Sequence, residues 1–413
     1  MDILITNIKT LVQVRDTAIS HVAGNDMAEC PMIADAYLAI KDGKIHDFGK
    51  QSEMPEITAK ETIDAAGQFV MPGFVDSHTH LIFAASREEE FVMKIKGASY
   101  QDIAEKGGGI LNSARKLRDT SEELLLSSAL DRLDEVIAQG TVAIEIKSGY
   151  GLSVESELKM LRVARKLAGM RNVLVRSTFL GAHAVPQGME KPDYIQLLIN
   201  EMIPAVAAEN LAHYIDVFCE NGFFNKDETI QIVEAGKQYG MKPRIHANQL
   251  NRSGGVQAGV QTHALSVDHL ENIGEEEIEM MKGTDVMPTA LPGAAFFLRL
   301  PFTPARQIID AGLPLAIASD YNPGSAPSGN MHTMMALACI GMRMTPEEAL
   351  NACTINTAKA LELENEYGSI TKGKVASIII TKPMPSLAYF PYAFGSQLID
   401  KVILQGKEII SNS

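Results

Sequence analysis

Two rhythms of apolar and polar residues divide the chain. From Ala34 to Gly49 short apolar–polar alternations flank Asp42-Gly43, the strongest short-range signal for a β-hairpin. A similar pattern spans Glu61–Val70, with Ala66-Gly67 at its turn. Near the other end, Gly373–Ile380 and Lys401–Leu404 read as strands, and Gly406 follows Gln405 in a hairpin position. Both ends are therefore expected to be all-β. Together they predict one small split β-sandwich domain, residues 1–72 with 364–413.

Between them the period changes. Short apolar runs at Gly73–His80, Thr141–Ser148, Val173–His183, Ile215–Glu220, Pro243–Asn248, Leu265–Leu270, Asp285–Thr289 and Leu313–Asp320 predict strands. Amphipathic stretches such as Glu155–Ala168, Asp227–Tyr239, Glu275–Lys282 and Thr303–Ala311 predict helices between them. Strand-then-helix repetition implies parallel strands with helical crossovers. About eight such units is the count of a TIM (β/α)8 barrel. The expected fold is α/β, with residues 73–363 as the barrel. No Gly-x-Gly-x-x-Gly follows the first strand to favour an open doubly wound sheet.

Composition narrows the partners. The chain has 413 residues, 46% hydrophobic and 21% charged, which excludes disorder and low complexity. Lys and Arg total 37 against 51 Asp and Glu, a net charge of −14 that argues against nucleic acid or an anionic membrane as partner. Cys30, Cys219, Cys339 and Cys353 lie far apart, which suits neither a disulfide scaffold nor a zinc ribbon. The first residues carry no basic, apolar leader, and no apolar run reaches the ~18 residues of a membrane span. A soluble cytoplasmic protein acting on a small molecule is expected. Gly107-Gly108-Gly109 lacks the Lys-Ser/Thr of a phosphate loop and reads as a flexible loop or lid.

The candidate chemistry stands at the predicted strand ends, where barrel enzymes build active sites. His78 and His80 close the first strand two residues apart and point the same way. A lone His-x-His arises by chance on surface strands. Three further strand ends carry His246, Asp268-His269 and Asp320. In a barrel, His78, His80, His246 and Asp320 converge on one axis. Three neutral imidazoles and a carboxylate suit a divalent ion such as zinc or iron, with a position left for water.

The motifs as a set resemble the amidohydrolase superfamily of metal-dependent hydrolases. They are Pro72–His80, Lys147-Ser148-Gly149-Tyr150-Gly151, Gly181-Ala182-His183, His246-Ala247-Asn248-Gln249, Asp268-His269-Leu270 and Ser319-Asp320-Tyr321-Asn322-Pro323-Gly324-Ser325. The match runs almost end to end. The resemblance implies hydrolytic opening of 4-imidazolone-5-propanoate to N-formimidoyl-L-glutamate, in a homodimer with one zinc or iron ion per subunit. It implies His78, His80, His246 and Asp320 as metal ligands. It further implies that Arg87, Tyr150, His183, Asn322, Gly324 and Ser325 line the substrate pocket, with Gln249 against the ring.

Chemistry gives these assignments reasons. Opening a cyclic amide needs an activated water and a group that moves its proton to the leaving nitrogen, and Asp320 can serve as base and then acid. His269 can donate to the developing oxyanion. The Arg87 fork suits a carboxylate, although Glu88-Glu89-Glu90 beside it offers a surface ion pair instead. Gln249 stands where many deaminases of the superfamily carry an ionisable Glu, which speaks against an aminohydrolase of a guanine- or cytosine-like ring. The fourth barrel strand ends in Val217-Phe218-Cys219-Glu220 without a metal-bridging lysine, so one ion is expected. A metal-free binding barrel is the third reading, and the complete ligand set argues against it.

Overall fold

The computed structural model describes residues 1–97 and 108–412. The N-terminal strands are β1 (Ile3–Val12), β2 (Met32–Lys41), β3 (Lys44–Lys50), β4 (Glu61–Asp64) and β5 (Phe69–Pro72). The middle of the chain supplies β6 (Phe74–Asp76), β7 (Thr141–Lys147), β8 (Leu174–Ala182), β9 (Tyr214–Cys219), β10 (Lys242–Ala247), β11 (Ser266–His269), β12 (Met287–Ala290) and β13 (Ala316–Ile317). The C-terminal end adds β14 (Ile378–Thr381), β15 (Ile399–Leu404) and β16 (Glu408–Ser411).

The terminal strands form one mixed sheet in the order β16-β15-β14-β5-β1-β2-β3, with β4 beside β1. The β2–β3 hairpin turns at Asp42 and Gly43, whose φ values of 52° and 76° fit a two-residue turn that follows the strand twist. The second expected hairpin does not form. β4 and β5 both run parallel to β1, one along Ile3–Thr6 and the other along Thr10–Leu11, with Ala66-Gly67 stepping between them. β1 is ten residues long and irregular between Ile5 and Ile8, so one edge accommodates two short strands in series.

This sheet folds over its own core. Ile5, Ile8, Leu38, Ile40, Val70, Ile378, Ile380 and Ile403 pack together, and a bridge from Lys44 to Val375 draws the edges toward each other. The two-residue period of strands decides which face each side chain joins. Ile378 and Ile380 enter that core, while Ile379 between them turns to the barrel. Gly73 carries the chain from β5 into β6, and a Cβ there would collide with the Val142 side chain.

Strands β6 to β13 are parallel neighbours in chain order. A parallel bridge between Thr79 and Tyr321 joins the two ends of the series, with Asp320 N donating to His78 O and His80 N to Tyr321 O, both at 2.9 Å. All eight predicted strands are present, and helices at Val154–Leu167, Lys226–Lys237, Glu275–Met281 and Ala305–Asp310 match those expected. Asn225 caps one of them in a reciprocal box with Glu228, an arrangement typically worth about 1 kcal/mol. The first and last strands are shorter than their apolar runs. At the end of β6 Asp76 binds the backbone N–H of Ser319 (3.0 Å) and the Ser319 hydroxyl, so a side chain replaces the strand ladder.

Gly107 of the glycine run lies outside the described residues; Gly109, at φ 82°, opens the helix Ile110–Asp119. All four cysteines are free. Among the described residues no helix is long and apolar enough to cross a membrane.

Candidate metal centre and active site

The segments after β6 and β13 and the C-terminal ends of β10 and β11 meet at one mouth; β6 stops at Asp76, so His78 and His80 lie beyond the strand expected to end in them. Ring centroids of His78 and His246 are 4.4 Å apart, and those of His78 and His80 5.4 Å. Asp320 Oδ1 lies 3.6 Å from His78 Nε2 and 3.5 Å from His80 Nε2. Donors about 2.1 Å from one tetrahedral ion are about 3.4 Å apart, so this spacing is that of a shared coordination sphere. His78, His80 and His246 also offer ligand atoms within 4.8 Å of one another, as do His78, His269 and Asp320. His78 Nε2 and His246 Nε2 are buried without a hydrogen-bond partner. Orphaned buried nitrogens are costly unless something binds them. Burial, followed by neighbouring cations and imidazoles, holds His78 and His80 well below the ordinary histidine pKa, so both rings are neutral. The donor set fits a divalent metal ion.

Carboxylates behind the rings fix their orientation. His78 Nδ1 donates to Asp268 Oδ2 at 2.7 Å, and His246 Nδ1 lies 2.9 Å from Asp216 Oδ2. Both acids belong to a buried charge network in the barrel interior. Lys147 Nζ sits 2.8 Å from Asp216 and 2.8 Å from Glu145, while Arg244 binds Asp268 at 3.2 Å and the Ser77 carbonyl at 2.8 Å. Burial opposes the Asp216 charge, but His246 and Lys147 outweigh it and hold this carboxyl well below its usual range. The sequence reading assigned these five residues no function. Their signal was a charge set among apolar neighbours inside a strand, as in Thr141–Lys147 and Tyr214–Cys219.

Asp320 holds a left-handed backbone (φ 56°), which turns its carboxylate into the mouth. Burial pushes its pKa up to about 6, against the pull of His269 and the Ser325 and Asn322 hydrogen bonds. Ser325 Oγ donates to Asp320 Oδ2 at 3.1 Å. Asn322 spends its side chain inside the same loop. It donates to Asp320 O (2.6 Å) and Ser325 Oγ (2.7 Å) and accepts from the N–H groups of Gly324 and Ser325, both at 2.8 Å. His269, at φ 90°, faces Glu271 across 3.4 Å. Burial disfavours its imidazolium, yet Glu271, with Asp320 and Asp268, raises the pKa overall.

A cavity of about 850 Å³ opens above this centre. His80, Arg87, Tyr150, His183, His246, Gln249, His269, Asp320, Asn322, Gly324 and Ser325 all line it. Arg87 pairs with Glu90 through Nε (2.9 Å) and Nη2 (2.5 Å); Glu90 is buried, so the pair is not the surface ion pair the sequence offered and Arg87 keeps its place in the pocket. Its Nη1 passes over Gly324, where a Cβ would collide with it. His183 stacks on His80 at 5.1 Å and donates through Nδ1 to Gly149 O at 3.1 Å. Gln249 sits on a segment whose N–H groups at Leu250 and Asn251 bind the Glu220 carboxylate (2.8 and 3.2 Å).

An αβ barrel with a His-x-His opening, a metal-type donor set and an accessory β-sheet defines a hydrolase class, and residues 69–409 match the sequence profile of the Amidohydrolase family. The chain belongs to that family. Within it, the chain belongs with the imidazolonepropionases. It is 54% identical to the imidazolonepropionase of Christiangramia forsetii over 411 residues, 99% of this chain and 100% of the relative. It is 55% identical to that of Flavobacterium johnsoniae over 408 residues, 98% of this chain and 99% of the relative. Among solved structures, atrazine chlorohydrolase from Arthrobacter aurescens complexed with zinc superposes with a TM-score of 0.76 at 15% identity, covering 99% of this chain and 95% of the other; this likeness speaks for the fold alone.

Proposed function

We propose that the chain hydrolyses the cyclic amide C–N bond of 4-imidazolone-5-propanoate to give N-formimidoyl-L-glutamate. The observation that carries this reading is the placement of Arg87 in the cavity that His80, His246 and Asp320 also line, with His78 packed against those three donors. The near full-length identity to imidazolonepropionases supports it.

His78, His80, His246 and Asp320 would hold one zinc or iron ion per subunit; nitrogen and oxygen donors serve both metals. When bound, such an ion lowers the pKa of water toward neutrality and polarises a carbonyl. The protein's own groups do the rest. Arg87 Nη1 takes the propanoate carboxylate, and Tyr150, His183, Asn322, Gly324 and Ser325 shape the pocket around it. Gln249 reads the ring by hydrogen bonding and cannot itself ionise. The Asp320 carboxylate accepts a proton from the attacking water and passes it to the ring nitrogen as the C–N bond breaks. His269, with Nδ1 toward Glu271, presents Nε2 to the oxyanion that develops on the carbonyl oxygen. A homodimer in the cytoplasm, built from residues 1–72 with 364–413 around 73–363, completes the reading.

The test is turnover. Purified protein should consume the imidazolone and release N-formimidoyl-L-glutamate, without releasing ammonia from guanine or cytosine. Ammonia from those bases, with the imidazolone untouched, would replace this reading with an aminohydrolase.

A further inference from the structure

The Glu157 carboxylate is fully buried and, among the described residues, pairs with no Lys, Arg or His. Instead it gathers backbone. Oε2 accepts from Gly149 N (3.0 Å), while Oε1 accepts from Gly151 N (2.7 Å) and Leu152 N (2.9 Å). The Ser148 hydroxyl, the three converging N–H donors and the first turn of helix Val154–Leu167 all favour the carboxylate, against burial, which still raises its pKa. The grip is close: a Cβ at Gly151 would overlap Glu157 N, and one at Gly149, which holds φ 111°, would come within 2.9 Å of His183 Nδ1.

What this loop carries gives the contact its consequence. Tyr150 lies between the gripped N–H groups, with its ring 5.8 Å from His80 and 5.5 Å from His183. Gly149 O accepts from His183 Nδ1, which fixes that ring's tautomer and leaves Nε2 free toward the cavity. One carboxylate therefore sets the position of two cavity walls contributed by different strands.

We propose that Glu157 is a positioning residue for substrate capture, acting through Tyr150 and His183 without touching substrate or metal. The proposal rests on the reading above that those two side chains contact the substrate. An amide cannot replace the carboxylate, because its NH2 would face at least one N–H donor.

The experiment measures KM and kcat on 4-imidazolone-5-propanoate, with metal content, for wild type, E157Q, Y150F and the double variant. The wild type must turn the compound over; if it does not, the substrate reading fails and this inference is not what failed. Given turnover, E157Q should raise KM by about 10- to 100-fold, with kcat within about threefold and metal content unchanged. Y150F should add little in the E157Q background, since the ring is already displaced. Should E157Q fail to fold, G151A, which pushes the loop off the carboxylate, should give the same rise in KM. An unchanged KM, or strictly additive effects of E157Q and Y150F, would overturn the proposal.

Discussion

The backbone N–H of Asp320 donates to the carbonyl of His78 at 2.9 Å, and this bond joins the first and last strands of the barrel. The same contact delivers the only carboxylate of the proposed ligand set to within 3.6 Å of the His78 ring. Closing the fold and assembling the centre are thus one event. The left-handed φ of Asp320 lets its N–H serve the ladder while its carboxylate turns inward.

Replacing His78 with Ala removes a ring that faces two other imidazoles and Asp320. Asp268, its buried partner, keeps the Arg244 guanidinium at 3.2 Å, so no unpaired charge is left behind. His78→Ala should therefore fold, bind well under one equivalent of metal and lose at least about 1,000-fold in kcat/KM. Elemental analysis beside circular dichroism checks it; a full metal complement would count against His78 as a ligand.

Asp216 orients His246 and shares Lys147 with Glu145. Asp216→Asn keeps the shape and loses the charge. Competition with a chelator should show metal affinity reduced by about 10- to 100-fold. Unaltered affinity would mean that the carboxylate serves folding alone.

Arg87 meets its acid partner through Nε and Nη2, leaving Nη1 beside Gly324 at the cavity. Arg87→Lys keeps the charge and removes the fork. KM for the imidazolone should rise by about tenfold or more while kcat changes little, the pattern of lost carboxylate binding. A fall in kcat at constant KM would place Arg87 in the chemistry rather than in capture.

Lys374 is 3% exposed and donates to Tyr367 O at 2.7 Å. Burial, only partly offset by Glu364, brings its pKa down to about 8. Below pH 8 both folded and unfolded chains carry this proton, and the cost of burying the charge is fully present. Between pH 8 and the ordinary lysine value the folded chain sheds the proton first, so the contribution of Lys374 to stability rises with pH. Urea unfolding of wild type and Lys374→Met should diverge in favour of wild type across that window. Parallel curves would contradict the assignment.

The parts of the centre that sequence reveals are those with local period. His78 and His80 stand two residues apart at the end of an apolar run, which marks the mouth of the barrel although the strand itself stops at Asp76. Partners across strands leave no such trace: Asp216 and Lys147 each look like a stray charge until the closed barrel turns β7, β9 and β10 toward one interior. Glu157 reads as one more acidic residue in a helix's first turn, since its partners are backbone N–H groups of a loop. The stepped pairing of β4 and β5 was hidden because Ala66-Gly67 turns the chain in either arrangement, and only the free edge of β1 decides between them.

The most direct measurement strips the purified protein with a chelator and titrates zinc or ferrous ion back, following loss of 4-imidazolone-5-propanoate. If His78, His80, His246 and Asp320 share a single ion, activity climbs in proportion to added metal and levels off at about one equivalent per chain. Full activity in the stripped protein, or a plateau reached only at two equivalents, would contradict it.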